Sequence, residues 1–246
     1  MRLRPMIKWY GSKWTLAPRY HPPMHDLIIE PFAGSAQYAL LYYDRDVLLV
    51  DLDERICAAW QWMIDASPED VLSLPDVPEG QDVREMGLPF GAMCLVWSWL
   101  SIGAMSNTKP SSMMMQHIAE RDFNGSLWGA AVRRRIARQL PMIRHWKVLH
   151  GSYEDIPNCE ATWFIDPPYQ QGGEAYRRSS HGIDFSALAS WCHGREGQVI
   201  VCERSNADWL PFEPLAKAAI NSVTSHAYTE GVWYQNSVDT QTQLFA

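Results

Sequence analysis

The sequence predicts an α/β protein built on an open sheet of the nucleotide-binding type. Three observations lead there. A short apolar run, Leu27–Ile29, enters a turn containing Gly34 and then a helical pattern, Gln37–Tyr42. A second apolar run, Val47–Val50, stops at Asp51, seventeen positions after Gly34. A third, Ala161–Ile165, rich in aromatic and branched residues, stops at Asp166. An acid at the carboxyl end of a strand sits where open α/β sheets bind ligands.

Composition agrees with one large domain carrying an inserted region. The chain has 246 residues, 47% hydrophobic and 20% charged, enough for a substantial core. No run of eighteen apolar residues predicts a membrane span, and the N-terminus lacks a signal-peptide pattern. The five cysteines, Cys57, Cys94, Cys159, Cys192 and Cys202, are far apart without metal spacing. They are expected as reduced thiols in a cytoplasmic protein with no metal. The net charge of −7 argues against a uniformly basic nucleic-acid binder, though a local basic face suffices for binding.

In chain order, Lys8-Trp9-Tyr10-Gly11-Ser12-Lys13 comes first, two lysines and two aromatics around a tight turn. Such a turn can hold a small zwitterion and a flat ring, or can be an ordinary surface turn. Glu30-Pro31-Phe32-Ala33-Gly34-Ser35-Ala36 then joins the first strand to its helix. Its backbone N–H groups suit a carboxylate or another polar group. Asp51 at the tip of the second strand suits both hydroxyls of a ribose; its alternative role is to cap the helix starting near Glu54, which Asp53 can also do.

A helix and a proline-bearing loop follow, from Cys57 to about Gln81, with Pro68, Pro75 and Pro78. Leu88–Asn107 reads as a buried helix and Ser106–Ser112 as a polar loop. In that loop Lys109 can meet a phosphate and Asn107 a base edge. Met113–Met115 read as core filler. Leu127–Arg144 reads as a basic helix on which Arg134 and Arg138 share a face, either a phosphate-contacting stripe or a solvated one. Lys147–His150 reads as a strand. Gln170–Ile183, with Arg177 and Arg178, reads as a loop over the site. Asp184 is placed to cap a helix over Phe185–Cys192, Val199–Cys202 reads as a buried strand, and Ser222–Phe245 as one or two edge strands.

The tetrad Asp166-Pro167-Pro168-Tyr169 carries the chemistry. Two prolines cannot continue a paired strand, so a rigid extended dipeptide follows the acid. The exocyclic amine of a nucleobase is a poor nucleophile because its lone pair is conjugated with the ring. A carboxylate and a neighbouring carbonyl, that of Pro167, can accept both N–H bonds and aim that lone pair at an electrophile. Tyr169 offers a flat face for a base taken out of the stack. Positioning carries the rate, with no strong base required. Taken alone, the tetrad is equally a strand-ending turn.

With these segments together and in this order, the chain resembles the Dam-like, alpha-group DNA adenine N6-methyltransferases. The resemblance rests on Lys8–Lys13, Glu30–Ala36, Asp51 and Asp166–Tyr169. It implies a Rossmann-like class I methyltransferase sheet with helices on both faces, formed by residues 1–59 and 127–246. Residues 60–126 would form an inserted, mostly helical target-recognition lobe. It implies S-adenosylmethionine as cofactor, held by Trp9, Lys13, Glu30, Pro31, Phe32, Gly34, Asp51 and Asp166. Double-stranded DNA would be met by Lys8, Tyr169, Lys109, Arg134, Arg138 and Arg177, with the enzyme acting as a monomer of the restriction-modification type. The sequence departs from the family at Ala36, where glycine is usual, at Tyr10 and Ser12, where small residues are usual, and near Ser152, where an acid often supports the adenine. The rival expectations are cytosine N4 methylation, in which serine more often replaces Asp166, RNA or protein-glutamine methylation, which asparagine there would favour, and an inactive DNA-binding protein on the same fold.

Overall fold

The computed structural model describes residues 2–100, 107–110, 127–173, 180–219 and 227–236. Seven strands form one sheet: β1 (Leu27–Glu30), β2 (Asp46–Asp51), β3 (Lys147–His150), β4 (Ala161–Ile165), β5 (Gly197–Arg204), β6 (Glu213–Ala219) and β7 (Ala227–Asn236). The helices are α1 (Gln37–Leu41), α2 (Glu54–Asp65), α3 (Pro68–Ser73), α4 (Phe90–Leu100), α5 (Ala130–Gln139) and α6 (Phe185–His193). Strand order is β3-β2-β1-β4-β5-β7-β6; β7 runs antiparallel to both neighbours and the other pairings are parallel. The protein is therefore α/β with a mixed sheet, compatible with a Rossmann-like fold.

Alternation along the strands explains the two layers. Ile28, Leu49, Phe164, Ile200 and Cys202 face one core, shared with α1 to α5. Ile29, Val50, Trp163, Ile165, Val199 and Val201 face the other, shared with α6 through Leu188 and Cys192. Both faces of the central strands are covered, which is why they read as continuous apolar runs. From β1 the chain moves outward to β2 and β3, then returns to β4 on the other side of β1. The connections after β1 and β4 thus diverge and leave a crevice at their carboxyl ends.

Local signals set several boundaries. Asp53 caps α2 by accepting from Arg55 N at 3.1 Å, leaving Asp51 out of that role. Asp184 caps α6, accepting from Ser186 N and Ala187 N at 3.0 Å each. Where the sequence suggested loop around Pro68, the structure has α3. Pro68 opens that helix, and Ser67 with Asp70 forms a capping box. The basic helix is shorter than expected, since Pro141 sits in the tight turn Leu140–Ile143 that follows α5.

Residues 60–100 pack against the sheet. Trp60, fully buried, lies against Trp146, and Leu95, Val96 and Trp99 of α4 join the same core as Ile28 and Phe164. Helix α2 itself crosses the expected boundary at residue 60. Met113–Met115 lie outside the described residues. Among the described residues no helix is long and apolar enough to cross a membrane, and no group of three His, Cys, Asp or Glu side chains can hold a metal.

The C-terminal strands differ from expectation. The described part of 222–245 contributes β7, which lies inside the sheet, and the edge is β6. Pro214 and a register shift near Ala216 hid β6 from pattern reading; proline is tolerated there because β6 is an edge strand. β7 crosses very close to the chain leaving β5. A methyl group on Gly231 would come within 2.7 Å of Ser205 Cα and 2.8 Å of its N, both backbone atoms that cannot swing aside. Gly231→Ala should lower stability by about 2 kcal/mol and the melting temperature by several degrees. An unchanged melting curve would contradict this account of β7.

Candidate functional site

A cavity of about 380 Å³ opens at the carboxyl ends of β1, β2 and β4, in the crevice where the chain changes direction. Trp9, Lys13, Glu30, Phe32, Gly34, Asp51, Asp166 and Pro168 line it, together with Leu52, Phe164, Gly182 and Ile183. Segments far apart in sequence therefore meet in one place. Volume and lining fall in the range of small-molecule sites.

The glycine turn is held from several sides. Gly34 has φ +44°, and a methyl group on it would lie 3.2 Å from Trp9 Cδ1. Glycine is favoured here both by backbone angle and by the close approach of the indole, which would have to give by a few tenths of an ångström to admit a methyl group. Trp60 Nε1 donates to Gly34 O at 3.0 Å, and Gly34 N donates to Asp51 Oδ2 at 3.0 Å. Ala36 takes φ +47°, a left-handed conformation that glycine adopts without strain.

Asp51 ends β2 and accepts also from Asp53 N, at 2.8 Å, through Oδ1. A carboxylate has about four acceptor positions, so both oxygens retain capacity for hydroxyl donors. Burial pushes its pKa up to about 6, against the two N–H bonds. Glu30 ends β1, buried, and its Oε1 accepts from Ala39 N at 2.7 Å. Burial pushes Glu30 up to about 8.

Asp166 follows β4 and is half-buried. Its Oδ1 lies 3.0 Å from Lys13 Nζ, and Lys13 is only 5% exposed. Burial raises Asp166 to about 6; Lys13 opposes the rise and Glu230 adds to it. Burial acts to lower Lys13, but Asp166 and Glu230 together hold it well above its ordinary value. Tyr169 is 9% exposed and does not line the cavity. Lys13 Nζ stands 4.5 Å above its ring, and its hydroxyl donates to Glu230 Oε1 at 2.5 Å.

The remaining expected residues lie elsewhere. Pro31 and Pro167 are buried beside the cavity lining without joining it, and Lys8 is half-buried outside it. Arg134 and Arg138 are exposed on α5, Lys109 is exposed on the 107–110 segment, and none of the three reaches the cavity. Arg177 lies outside the described residues. Ser152 caps a short turn, accepting from Glu154 N at 3.3 Å, and does not line the cavity.

Three partners escaped sequence reading: Tyr20, Glu203 and Glu230. Glu203, fully buried at the end of β5, accepts from Gln170 N at 2.8 Å and so fixes the chain just after the tetrad. Glu230 carried a usable signal, since it alternates with Val232 on the core-facing side of a strand. No protein family matches this chain, and no curated protein matches it in sequence.

The buried acids give a pH signature. Folded Glu30 keeps its proton up to about pH 8, whereas the unfolded chain releases it near 4.5. Between those values the folded state binds more protons, so this group's contribution to stability falls as pH rises. Glu30→Gln should remove that loss. Denaturant unfolding is expected to give the variant and wild type similar stability at pH 4.5, and the variant an advantage of more than about 1 kcal/mol at pH 7.5. A variant equally or less stable at pH 7.5 would refute the assignment.

Proposed function

We propose that this protein transfers a methyl group from S-adenosylmethionine to N6 of adenine in double-stranded DNA. The observation that carries the reading is the convergence on one cavity of Trp9 and Lys13, the Gly34 turn, Asp51 and Asp166. These are the segments on which the sequence resembles the Dam-like enzymes, and they meet at the switch point of a sheet compatible with that class.

The lining suits a cationic nucleoside ligand. Asp51, Asp53 and Asp166 contribute carboxylates, Glu30 stays neutral below about pH 8, and Lys13, already paired, is the only lysine or arginine among the described lining residues. Asp51 retains acceptor capacity for a ribose diol. Trp9 covers the glycine turn with an apolar face. When bound, the cofactor supplies an electrophilic methyl group on a positively charged sulfur.

The chain's own residues prepare the nucleophile. Asp166 accepts an N–H bond from the target amine and draws its lone pair out of conjugation with the ring. The second acceptor is the Pro167 carbonyl, on the reading of the tetrad given above. Trp9, Lys13 and Asp51 would hold the cofactor, which would supply the methyl group to N6, and Asp166 or water would take the proton that N6 then loses. Fixed acceptors in a site shielded from water supply the rate enhancement. One flipped base needs one such site, so the working unit is a monomer in the cytoplasm. Residues 60–126, with Lys109, and Arg134 and Arg138 on α5, are the proposed DNA-contacting region.

The test is labelled methyl transfer to unmethylated duplex DNA, followed by nucleoside digestion. Label is expected in N6-methyl-2′-deoxyadenosine. Asp166→Ala should reduce turnover by at least about 100-fold while cofactor binding, measured by calorimetry, persists. Because Asp166 acts as a carboxylate, the rate should fall as pH drops through about 6. Label in N4-methylcytosine would move the assignment to cytosine. DNA binding without cofactor binding or transfer would leave an inactive binding protein.

A further inference from the structure

β7 carries a glutamate for which the proposed reaction has no step. Glu230 is 0% exposed, and a carboxylate in that position needs partners. Its Oε1 accepts from Tyr20 O–H at 2.7 Å and from Tyr169 O–H at 2.5 Å. The same oxygen lies 3.8 Å from Lys13 Nζ, which lies 3.0 Å from Asp166 Oδ1. One buried side chain thus touches the N-terminal segment, the tetrad and the cation that holds Asp166.

This arrangement solves a problem that a simple ion pair creates. An ammonium with Asp166 as its sole anionic partner would neutralise it and occupy one of its acceptor positions. The N–H of an aromatic amine is a weaker donor than an ammonium and would compete poorly. A second carboxylate shares the ammonium and leaves Asp166 charge to offer. Without Lys13, in turn, Asp166 and Glu230 would repel each other across a buried gap.

We propose, on the basis of the transfer reading above, that Glu230 is a positioning residue for the reaction, acting on Asp166 through Lys13 and on the tetrad through Tyr169. Asp166 is faced by Lys13 and Tyr20 from the N-terminal region, Glu30 from β1, Tyr169 from its own loop, Cys202 and Glu203 from β5, and Tyr228 and Glu230 from β7. Lys13 is the only cation in that set. Besides direct repulsion, Glu230 reaches Asp166 through Lys13 and through Tyr169, whose hydroxyl it holds at 2.5 Å. All three routes give the same sign. Removing the charge at 230 returns the ammonium to Asp166, loosens the hold on a hydroxyl that can donate to Asp166, and removes a like charge.

Carbon-13 NMR of labelled aspartate side chains reads this directly, with the Asp166 signal identified by its loss in Asp166→Asn. Wild-type Asp166 should titrate near pH 6. Glu230→Gln, which keeps shape but loses charge, should lower that midpoint by about one unit, and Lys13→Met should raise it by at least about one unit. The acid limb of turnover against pH should move in the same directions. A midpoint unmoved or raised in Glu230→Gln overturns the proposal. Should that variant not fold, Tyr20→Phe decides: with one donor gone from Glu230, the ammonium is drawn away from Asp166 and the midpoint rises, and an unmoved midpoint overturns the proposal. Wild type that transfers no methyl group sinks the reading of the reaction itself. Transfer with unmoved midpoints sinks only the role given to Glu230.

Discussion

A lysine ammonium out of water, with a carboxylate on each side, is the interaction on which the site depends. Lys13 stays charged at 5% exposure because Asp166 and Glu230 flank it, and Lys13 in turn opposes the rise that burial imposes on Asp166. The three groups come from the N-terminal turn, the end of β4 and the middle of β7. Their mutual requirement ties together segments more than two hundred residues apart. Glycine at 231 lets β7 run close to the end of β5, and Glu230 beside it meets the tetrad through the Tyr169 hydroxyl.

Around this core of charge, the cavity is made by topology. The reversal of direction between β1 and β4 opens the crevice, and each strand ends in an acid that the crevice exposes: Glu30, Asp51 and Asp166. Their raised pKa values share one cause, burial, yet each is answered differently. A helical N–H meets Glu30, two turn N–H groups meet Asp51, and a lysine meets Asp166. Hydrogen bonds from backbone are fixed, whereas a lysine side chain can shift between partners. On the proposed reaction, the acid that meets the target amine is thus the one with the adjustable partner.

Much of the scaffold was legible because its signals are local. Strands β1, β2, β4 and β5 carry apolar runs ending at acids or turns, and the caps at Asp53 and Asp184 lie within three residues of the N–H groups they serve. The glycine turn, Asp51 and Asp166 could be assigned to one site because an α/β sheet delivers strand ends to one edge. Tyr169 was less legible. Its ring was expected to be open to a base, whereas in the fold it is packed beneath Lys13 and hydrogen-bonded to Glu230. Residues 60–126 read as an inserted region, and only the fold shows that the apolar side chains of residues 60–100 share a core with Ile28 and Phe164 of the sheet.

The sequence by itself determined the class of the fold, the order of its first five strands and the acids at three of their tips, because each depends on periodicity or on chemistry within a few residues. Tertiary structure alone decided that β7 lies inside the sheet, that Lys13 bridges two carboxylates, and that Glu230 lies behind the tetrad. Those facts depend on pairing and charge compensation between distant segments, and a buried charge takes its meaning from neighbours that linear order does not reveal.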